Sequence, residues 1–160
     1  SGVMTASTGS DKRLKDNIEY FLNFSEKNDC LVVAGHGAEP KIKHPRIFYV
    51  GNLETDELLT LFKISKYFIH LAYLDHCPNV VIDARACGCQ IICSSSGGTK
   101  EIAGKNAIVV QEDPWDYSYL ESSVPPKMDY NRKENSKFDS HLSMSKVAKK
   151  YHNFLKGVAK

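Results

Sequence analysis

The chain alternates between short runs of apolar residues and longer stretches in which apolar and polar residues are mixed. Each apolar run has four or five residues, is rich in Val, Ile and aromatic side chains, and carries no regular polar alternation. Such runs are typical of strands that a sheet buries on both faces. They predict strands at residues 3–6, 30–34, 46–50, 67–71, 90–93 and 107–110.

The mixed stretches between these runs have the period of amphipathic helices. They predict helices at residues 14–26, 55–62, 78–87 and 143–158. Thr55 is expected to cap the second of these helices, and Pro78 to occupy the first position of the third. In the last helix the lysines are expected to face outward and the following residues inward: Val147, Tyr151, Phe154 and Leu155.

Strands and helices that alternate in this way predict an α/β fold, namely a Rossmann-like parallel sheet with helices on both faces. Residues 111–140 interrupt the alternation, because they hold three prolines and the polar run 131–136. For this stretch the sequence predicts one short helix near residues 115–120, followed by a mostly irregular loop.

The composition is that of one globular domain rather than a disordered or fibrous chain. Of the 160 residues, 42% are hydrophobic, and no apolar run approaches the ~20 residues of a membrane span. The net charge of +2 is too small to indicate nucleic-acid binding. It does not exclude a weak attraction to a membrane surface. The odd count of five cysteines is typical of reduced thiols. With no signal segment at the start, we expect a cytoplasmic protein, peripheral to the membrane at most.

Glycine-rich turns follow several of the predicted strands. They are Gly35-His36-Gly37, Gly51-Asn52 and Gly97-Gly98. Ligands of α/β proteins bind at the carboxyl ends of the strands, so these turns predict an anionic ligand, the alternative being ordinary tight turns. The chain lacks GxGxxG, GxxxxGK[ST], GxSxG and any Asp-x-Asp pair. These absences argue against dinucleotide oxidoreductases, P-loop NTPases, serine hydrolases and a nucleotide-bound metal ion.

Residues 75–88 carry the most informative pattern. Asp75 is predicted to lie in the loop after a strand, and Asp83, eight positions later, in the following helix. The N-terminus of that helix offers free N–H groups near Asn79 and Val80. A loop carboxylate, a helix N-terminus and a helix carboxylate can together hold the phosphate and hydroxyl groups of a nucleotide sugar. The alternative is a solvated loop carboxylate and a helix carboxylate that pairs with Arg85 or with another cation.

The segment DHCPNVVIDARACG, residues 75–88, resembles the donor-binding motif of retaining glycosyltransferases of the GT-B fold, family 4, also described as glycosyl transferases group 1. In that motif seven residues separate two Glu residues, and here both are Asp. Residues 46–73 and 90–110 are similar to the family's flanking segments, as is the last predicted helix. The resemblance therefore runs from about residue 14 to the end of the chain and is poorest over residues 111–140.

The resemblance implies a role for each matching residue of the motif. Asp75 would face the transferred sugar and take part in catalysis. Asp83 would hold the ribose hydroxyls. The backbone N–H groups of Asn79 and Val80 would bind the diphosphate.

The resemblance implies further donor contacts outside the motif. Asn52 and Leu53, in the turn after a strand, would contact the base. The family uses an Arg and a Lys to neutralise the diphosphate leaving group, and stabilising that charge is a large part of catalysis. Lys15 stands at the Lys position and is implied to be catalytic. Arg13 is the nearest substitute for the Arg, which is missing at residues 8–9.

The resemblance covers the donor-binding C-terminal half of GT-B enzymes and not their acceptor-binding N-terminal domain. It implies that residues 1–160 form the nucleotide-sugar-binding domain of a hexosyltransferase that uses no metal and no cofactor besides its donor. An acceptor-binding domain or subunit would be its partner. Whether the chain is an excised half or a natural short form stays open. Two alternatives remain: a catalytically silent nucleotide-sugar-binding module, and a GT-B-like sugar-nucleotide epimerase.

Overall fold

The computed structural model describes residues 3–7, 12–36, 42–114, 126–138 and 142–158. Their strands are β1 (Val3–Ser7), β2 (Cys30–Ala34), β3 (Ile47–Gly51), β4 (Tyr67–His70), β5 (Gln90–Ser94), β6 (Ile108–Glu112) and β7 (Met128–Asn135). They form a seven-stranded sheet in the order β3-β2-β1-β4-β5-β6-β7. All neighbouring pairs are parallel except β6 and β7. The predicted Rossmann-like parallel sheet is therefore confirmed.

The helices of the described residues are α1 (Leu14–Phe24), α2 (Thr55–Ile64), α3 (Asn79–Ala86), α4 (Thr99–Ile102) and α5 (Met144–Val158). Two details at helix starts differ from the prediction. Glu54, and not Thr55, caps α2, because its side chain and that of Glu57 each accept a hydrogen bond from the other's backbone N–H. Pro78 is the residue before α3 rather than its first residue.

The core lies on both faces of the sheet, in two hydrophobic clusters. Side chains of one strand alternate between them: Phe68 lies in one cluster and Ile69 in the other, and the same holds for Ile91 and Ile92. Helix α1 covers one face, whereas α2 and α3 cover the other. This two-sided burial explains why the strands are continuous apolar runs in the sequence.

Residues 128–135 form the antiparallel edge strand β7, so the prediction of an irregular loop is wrong there. Met128 and Tyr130 pack against the cluster under α1, and the Tyr130 hydroxyl donates to Asp16 Oδ1 at 3.1 Å. The remaining residues are mostly polar because an edge strand is exposed to water. The short helix predicted near residues 115–120 lies outside the described residues.

Helix α5 forms where the apolar period predicted it, but its apolar side is not buried. Tyr151, Phe154 and Leu155 were predicted to face inward, yet 66%, 66% and 62% of their surfaces are exposed. Val147 is half-buried. The inward orientation is therefore wrong, because a helical period shows that an apolar face exists and not what covers it.

Candidate functional site

The strand order reverses next to β1, with β2 and β3 on one side and β4 to β7 on the other. In open α/β sheets such a reversal leaves a crevice outside the carboxyl ends of the two central strands, here β1 and β4. The chain after β1 leads to Lys12 and Arg13 at the start of α1. The chain after β4 forms residues 71–78, named here the Asp75 loop, which leads into α3. The topology thus brings two distant segments to the same crevice.

The carboxylate of Asp75 joins two other polar side chains in this crevice. Its Oδ2 pairs with Nζ of Lys12 and lies 3.1 Å from Nε2 of His70. The side chains are 15% exposed for Asp75, 27% for Lys12 and 0% for His70. Burial alone would raise the pKa of Asp75, but the hydrogen bonds and charges of Lys12 and His70 hold that pKa below its ordinary value. Asp75 is therefore ionised at neutral pH.

The Asp75 loop is held in place by the glycine pair between β5 and α4. The N–H of Gly98 donates to the carbonyl oxygen of Asp75 at 2.9 Å, while Leu74 adopts a left-handed conformation with φ of 51°. A Cβ at Gly97 would lie 2.6 Å from the carbonyl oxygen of Asp75, and one at Gly98 would lie 2.1 Å from that of His76. The glycine pair therefore permits close approach of this neighbouring backbone.

Gly98→Ala is expected to destabilise the domain and to displace the Asp75 loop. The new Cβ would meet a backbone oxygen, which cannot move without moving the loop, and overpacking of this kind costs about 1–3 kcal/mol. Unfolding in urea measures the loss. Gly157→Ala is the control, because a Cβ at that helical position meets nothing within 4 Å and replaces glycine by a better helix former. Equal stability of the two variants would contradict the tight packing at Gly98.

The two cations predicted to neutralise the diphosphate occupy different environments. Lys15 is exposed on α1. Arg13 is buried, and its Nη1 lies 2.9 Å from Oε1 of Glu112 with side-chain exposures of 2% and 4%. Nη2 of Arg13 also donates to the carbonyl oxygen of Pro126 at 2.8 Å. The structure therefore engages Arg13 in an internal ion pair and brings Lys12, rather than Lys15, against Asp75.

The other motif residues lie at the start and along the outside of α3. Asn79 and Asp83 are exposed, and Val80 is half-buried. Pro78 ends the loop, and its carbonyl oxygen accepts from the N–H of Val81 at 3.0 Å. Helix geometry leaves the N–H groups of Asn79 and Val80 without partners inside the helix. The amino end of α3 is thus open to an anion.

The sequence left open whether Asp83 pairs with Arg85. Arg85 donates instead from Nη1 to the carbonyl oxygen of Ile102 at 3.0 Å, and its guanidinium packs against Gly104, where a Cβ would lie 2.5 Å from Nε. No ion pair between Asp83 and Arg85 occurs among the described residues. This leaves Asp83 available on the helix surface.

The residues predicted to contact the base follow β3 at the same edge of the sheet. Asn52 is exposed and Leu53 is half-buried. The preceding Gly51 has a φ of 71°, and its carbonyl oxygen accepts from the N–H of Gly35 at 2.7 Å. The turns after β2 and β3 are therefore tied together beside the crevice.

Three residues of this region were missed by the sequence reasoning: Lys12, His70 and Glu112. His70 stood inside an apolar run and was read as part of a strand. His70 could have been identified as a site residue from its position, because it stands at the end of a buried strand, just before a loop carboxylate. Lys12 and Glu112 carried none, because their partners are 63 and 99 positions away.

Solved structures of larger proteins share this fold. Anabaena HepE in complex with UDP-glucose is similar with a TM-score of 0.58 and 15% identity, over 68% of this chain and 34% of that one. Sucrose-phosphate synthase from Thermosynechococcus elongatus is similar with a TM-score of 0.54 and 18% identity, over 69% of this chain and 33% of that one. WaaG, a glycosyltransferase involved in lipopolysaccharide biosynthesis, is similar with a TM-score of 0.53 and 16% identity. The match covers 72% of this chain and 35% of that one. The chain spans about a third of the length of these proteins, and the likeness establishes the expected GT-B-type fold.

The family model of the glycosyl transferases group 1 matches residues 3–118, which is well over half of the chain. The chain therefore belongs to that family. A search of curated proteins gives no significant match. The matched residues include the Asp75 loop, α3 and the start of α1.

Proposed function

We propose that this domain binds a nucleoside-diphosphate sugar in the crevice between β1 and β4. With an acceptor-binding domain or subunit, it transfers the hexosyl group with retention of configuration. The observation that carries the proposal is the Asp75 carboxylate, paired with Lys12 and followed by the open amino end of α3, at the reversal of the strand order. Membership of the glycosyl transferases group 1 and the fold shared with a UDP-glucose complex support it.

The diphosphate of the donor needs positive partners, and two are present. The first N–H groups of α3, at Asn79 and Val80, carry the positive end of the helix dipole, and the first turn of α3 holds no acidic residue. Lys12 adds a full positive charge and is partly exposed. We assign to Lys12 the role predicted for Lys15, which is to offset the charge that develops on the leaving diphosphate.

The carboxylates complete the donor site. Ionised Asp75 faces the transferred sugar, where a negative charge stabilises the positive charge that develops on the ring as the glycosidic bond breaks. Asp83 accepts hydrogen bonds from the ribose hydroxyls. Asn52 and Leu53 contact the base at the neighbouring turn.

Donor binding is expected to need no metal ion, because Lys12 and the start of α3 supply the positive charge. Calorimetric titration of the chain with UDP-glucose should give the same Kd with and without EDTA. A control titration with uridine measures the affinity of the nucleoside without the diphosphate and the sugar. Loss of UDP-glucose binding on addition of EDTA would contradict metal-free recognition.

Two observations favour a second function, nucleotide-sugar binding without transfer. Both motif acids are Asp, and the internal pair with Glu112 engages Arg13. The two functions are separated by an assay of the protein together with its acceptor-binding domain, which measures the release of UDP from UDP-glucose as the glucosyl group passes to an acceptor or to water. If the protein turns over UDP-glucose and Asp75→Asn abolishes that turnover, the result supports glycosyl transfer. If the protein binds UDP-glucose without turnover, the result supports the catalytically silent module. The match to the glycosyl transferases group 1 favours both over the epimerase alternative.

A further inference from the structure

His70 is a fully buried polar side chain at the end of an otherwise apolar strand. Side chains of a strand alternate between the two faces of the sheet, so His70 lies on the same face as Phe68. The two rings are stacked, with their centroids 5.7 Å apart and their planes 26° apart. An apolar residue would satisfy this packing, as Phe68 does, whereas a buried polar ring is stable only with a polar partner.

The carboxylate of Asp75 is a polar partner of His70. Nε2 of His70 lies 3.1 Å from Oδ2 of Asp75. Because an ionised carboxylate only accepts hydrogen bonds, Nε2 carries a hydrogen and donates it. Lys12 donates to the same oxygen. Among the residues that the structure describes, Oδ1 of Asp75 makes no hydrogen bond or ion pair. Both contacts therefore hold Oδ2 and leave Oδ1 for another group.

The two donors to Oδ2 differ in rigidity. The imidazole ring of His70 is buried and stacked against Phe68, so its position is fixed by packing. The side chain of Lys12 is 27% exposed, and its flexible stem lets the ammonium group move toward a diphosphate. His70 is therefore the donor that can hold the carboxylate of Asp75 in one direction while Lys12 engages a ligand.

We infer that His70 is a positioning residue for glycosyl transfer: its Nε2–H fixes Oδ2 of Asp75, and Oδ1 thereby faces the transferred sugar. This inference rests on the proposed function and deepens it, because it assigns the sugar contact of Asp75 to one of the two carboxylate oxygens. A carboxylate that is already fixed needs no reordering when the donor binds or reacts, and such preorganisation is a large part of catalysis. His70 acts only through Asp75.

The variants His70→Gln and His70→Met form a matched pair that isolates the hydrogen bond. Both new side chains are unbranched and of similar length, and both lose the stacking on Phe68, but only Gln keeps an N–H donor. Calorimetric titrations with UDP and with UDP-glucose measure the affinities. The two variants are expected to bind UDP equally. His70→Met is expected to bind UDP-glucose roughly threefold to tenfold more weakly than His70→Gln, which corresponds to one lost hydrogen bond.

Two further measurements test the route through Asp75. In an Asp75→Ala background, His70→Gln and His70→Met should bind UDP-glucose equally, because the carboxylate through which they act is gone. Long-range proton–nitrogen NMR spectra of the parent chain show whether Nε2 of His70 carries a hydrogen. This measurement needs no substitution at His70 to fold, so it tests the contact even where a variant does not.

Three results would overturn the inference. Equal affinities of His70→Gln and His70→Met for UDP-glucose would show that the hydrogen bond does not support the sugar contact. Equal weakening of UDP and UDP-glucose binding in His70→Met would show that the ring only supports the fold of the loop. An Nε2 without a hydrogen would exclude the donation to Asp75. The proposed function fails by a different result, a parent chain that binds neither UDP nor UDP-glucose, and the inference then fails with it.

Discussion

Arg13→Met is expected to destabilise the domain by about 3–5 kcal/mol, because it leaves the carboxylate of Glu112 buried without its cation. The two side chains are almost inaccessible, at 2% and 4%, and Nη1 and Oε1 are 2.9 Å apart. Ser96 also donates to Oε1 of Glu112 at 2.8 Å, so one neutral hydrogen bond would remain to the stranded carboxylate. Unfolding in urea measures the difference in free energy between the variant and the parent chain.

The same substitution is expected to weaken donor binding through Lys12. Arg13 adopts a left-handed conformation with φ of 50°, which is uncommon for a residue other than glycine. Its guanidinium ties this turn to Glu112 at the end of β6 and to the carbonyl oxygen of Pro126. Because Lys12 immediately precedes Arg13, release of the guanidinium frees the turn that places Lys12 against Asp75.

Arg132→Met is the matched control for Arg13→Met. Arg132 Nε lies 2.7 Å from Oδ2 of Asp129, but the side chains are 55% and 30% exposed, and water screens such a pair. The control should change stability little. The double variant Arg13→Met/Glu112→Leu should recover most of the loss, because an apolar pair can replace a buried ion pair. If Arg13→Met proved no worse than Arg132→Met, the internal pair would not anchor the start of α1.

The sequence was most informative about the fold where burial is two-sided. Residues 90–93 read as a strand because neighbouring side chains, Ile91 and Ile92, enter opposite clusters, so the strand has no polar face. Strand β7 was not predicted because it lies at the edge of the sheet and is not buried on both faces. At the edge of the sheet only Met128 and Tyr130 needed to be apolar, and two such residues do not make a detectable pattern.

The candidate site likewise has one part that the sequence could predict and one part that it could not. The Asp75 loop and the start of α3 are contiguous in sequence, so their order could be predicted from residues 75–88 alone. Which cation faces Asp75 depends on how the chain turns into α1. Lys12, Arg13 and Lys15 lie within four positions, and the left-handed Arg13 sets their directions. The Arg13 side chain pairs with Glu112, 99 positions away, and sequence reasoning could not foresee that contact.

Asp83→Ala is expected to weaken binding of UDP-glucose roughly tenfold to over a hundredfold while leaving the fold intact. The proposed donor site gives Asp83 the ribose hydroxyls, and a lost hydrogen bond to a charged group is worth about 1.5–3 kcal/mol. Asp83 is exposed on α3, so its removal opens no cavity. Calorimetry measures the affinity, and unfolding in urea checks the stability.

Asp56→Ala is the matched control for this substitution. Asp56 is likewise an exposed helical aspartate, in the first turn of α2, and its removal changes the net charge by the same amount. A general electrostatic effect of one lost negative charge would appear in both variants. A contact with the ribose would appear only in Asp83→Ala.

The 2′,3′-dideoxy analogue of UDP-glucose separates ribose recognition from every other role of Asp83. If the carboxylate accepts hydrogen bonds from the two hydroxyls, the parent chain should bind the analogue about as weakly as Asp83→Ala binds UDP-glucose. The substitution should then have almost no further effect on the analogue, because the interaction is already absent. Equal losses on both ligands would place Asp83 outside the ribose contact. No loss on either would remove it from the site and leave Asp75, Lys12 and the start of α3 as the whole of the donor contact on this side of the crevice.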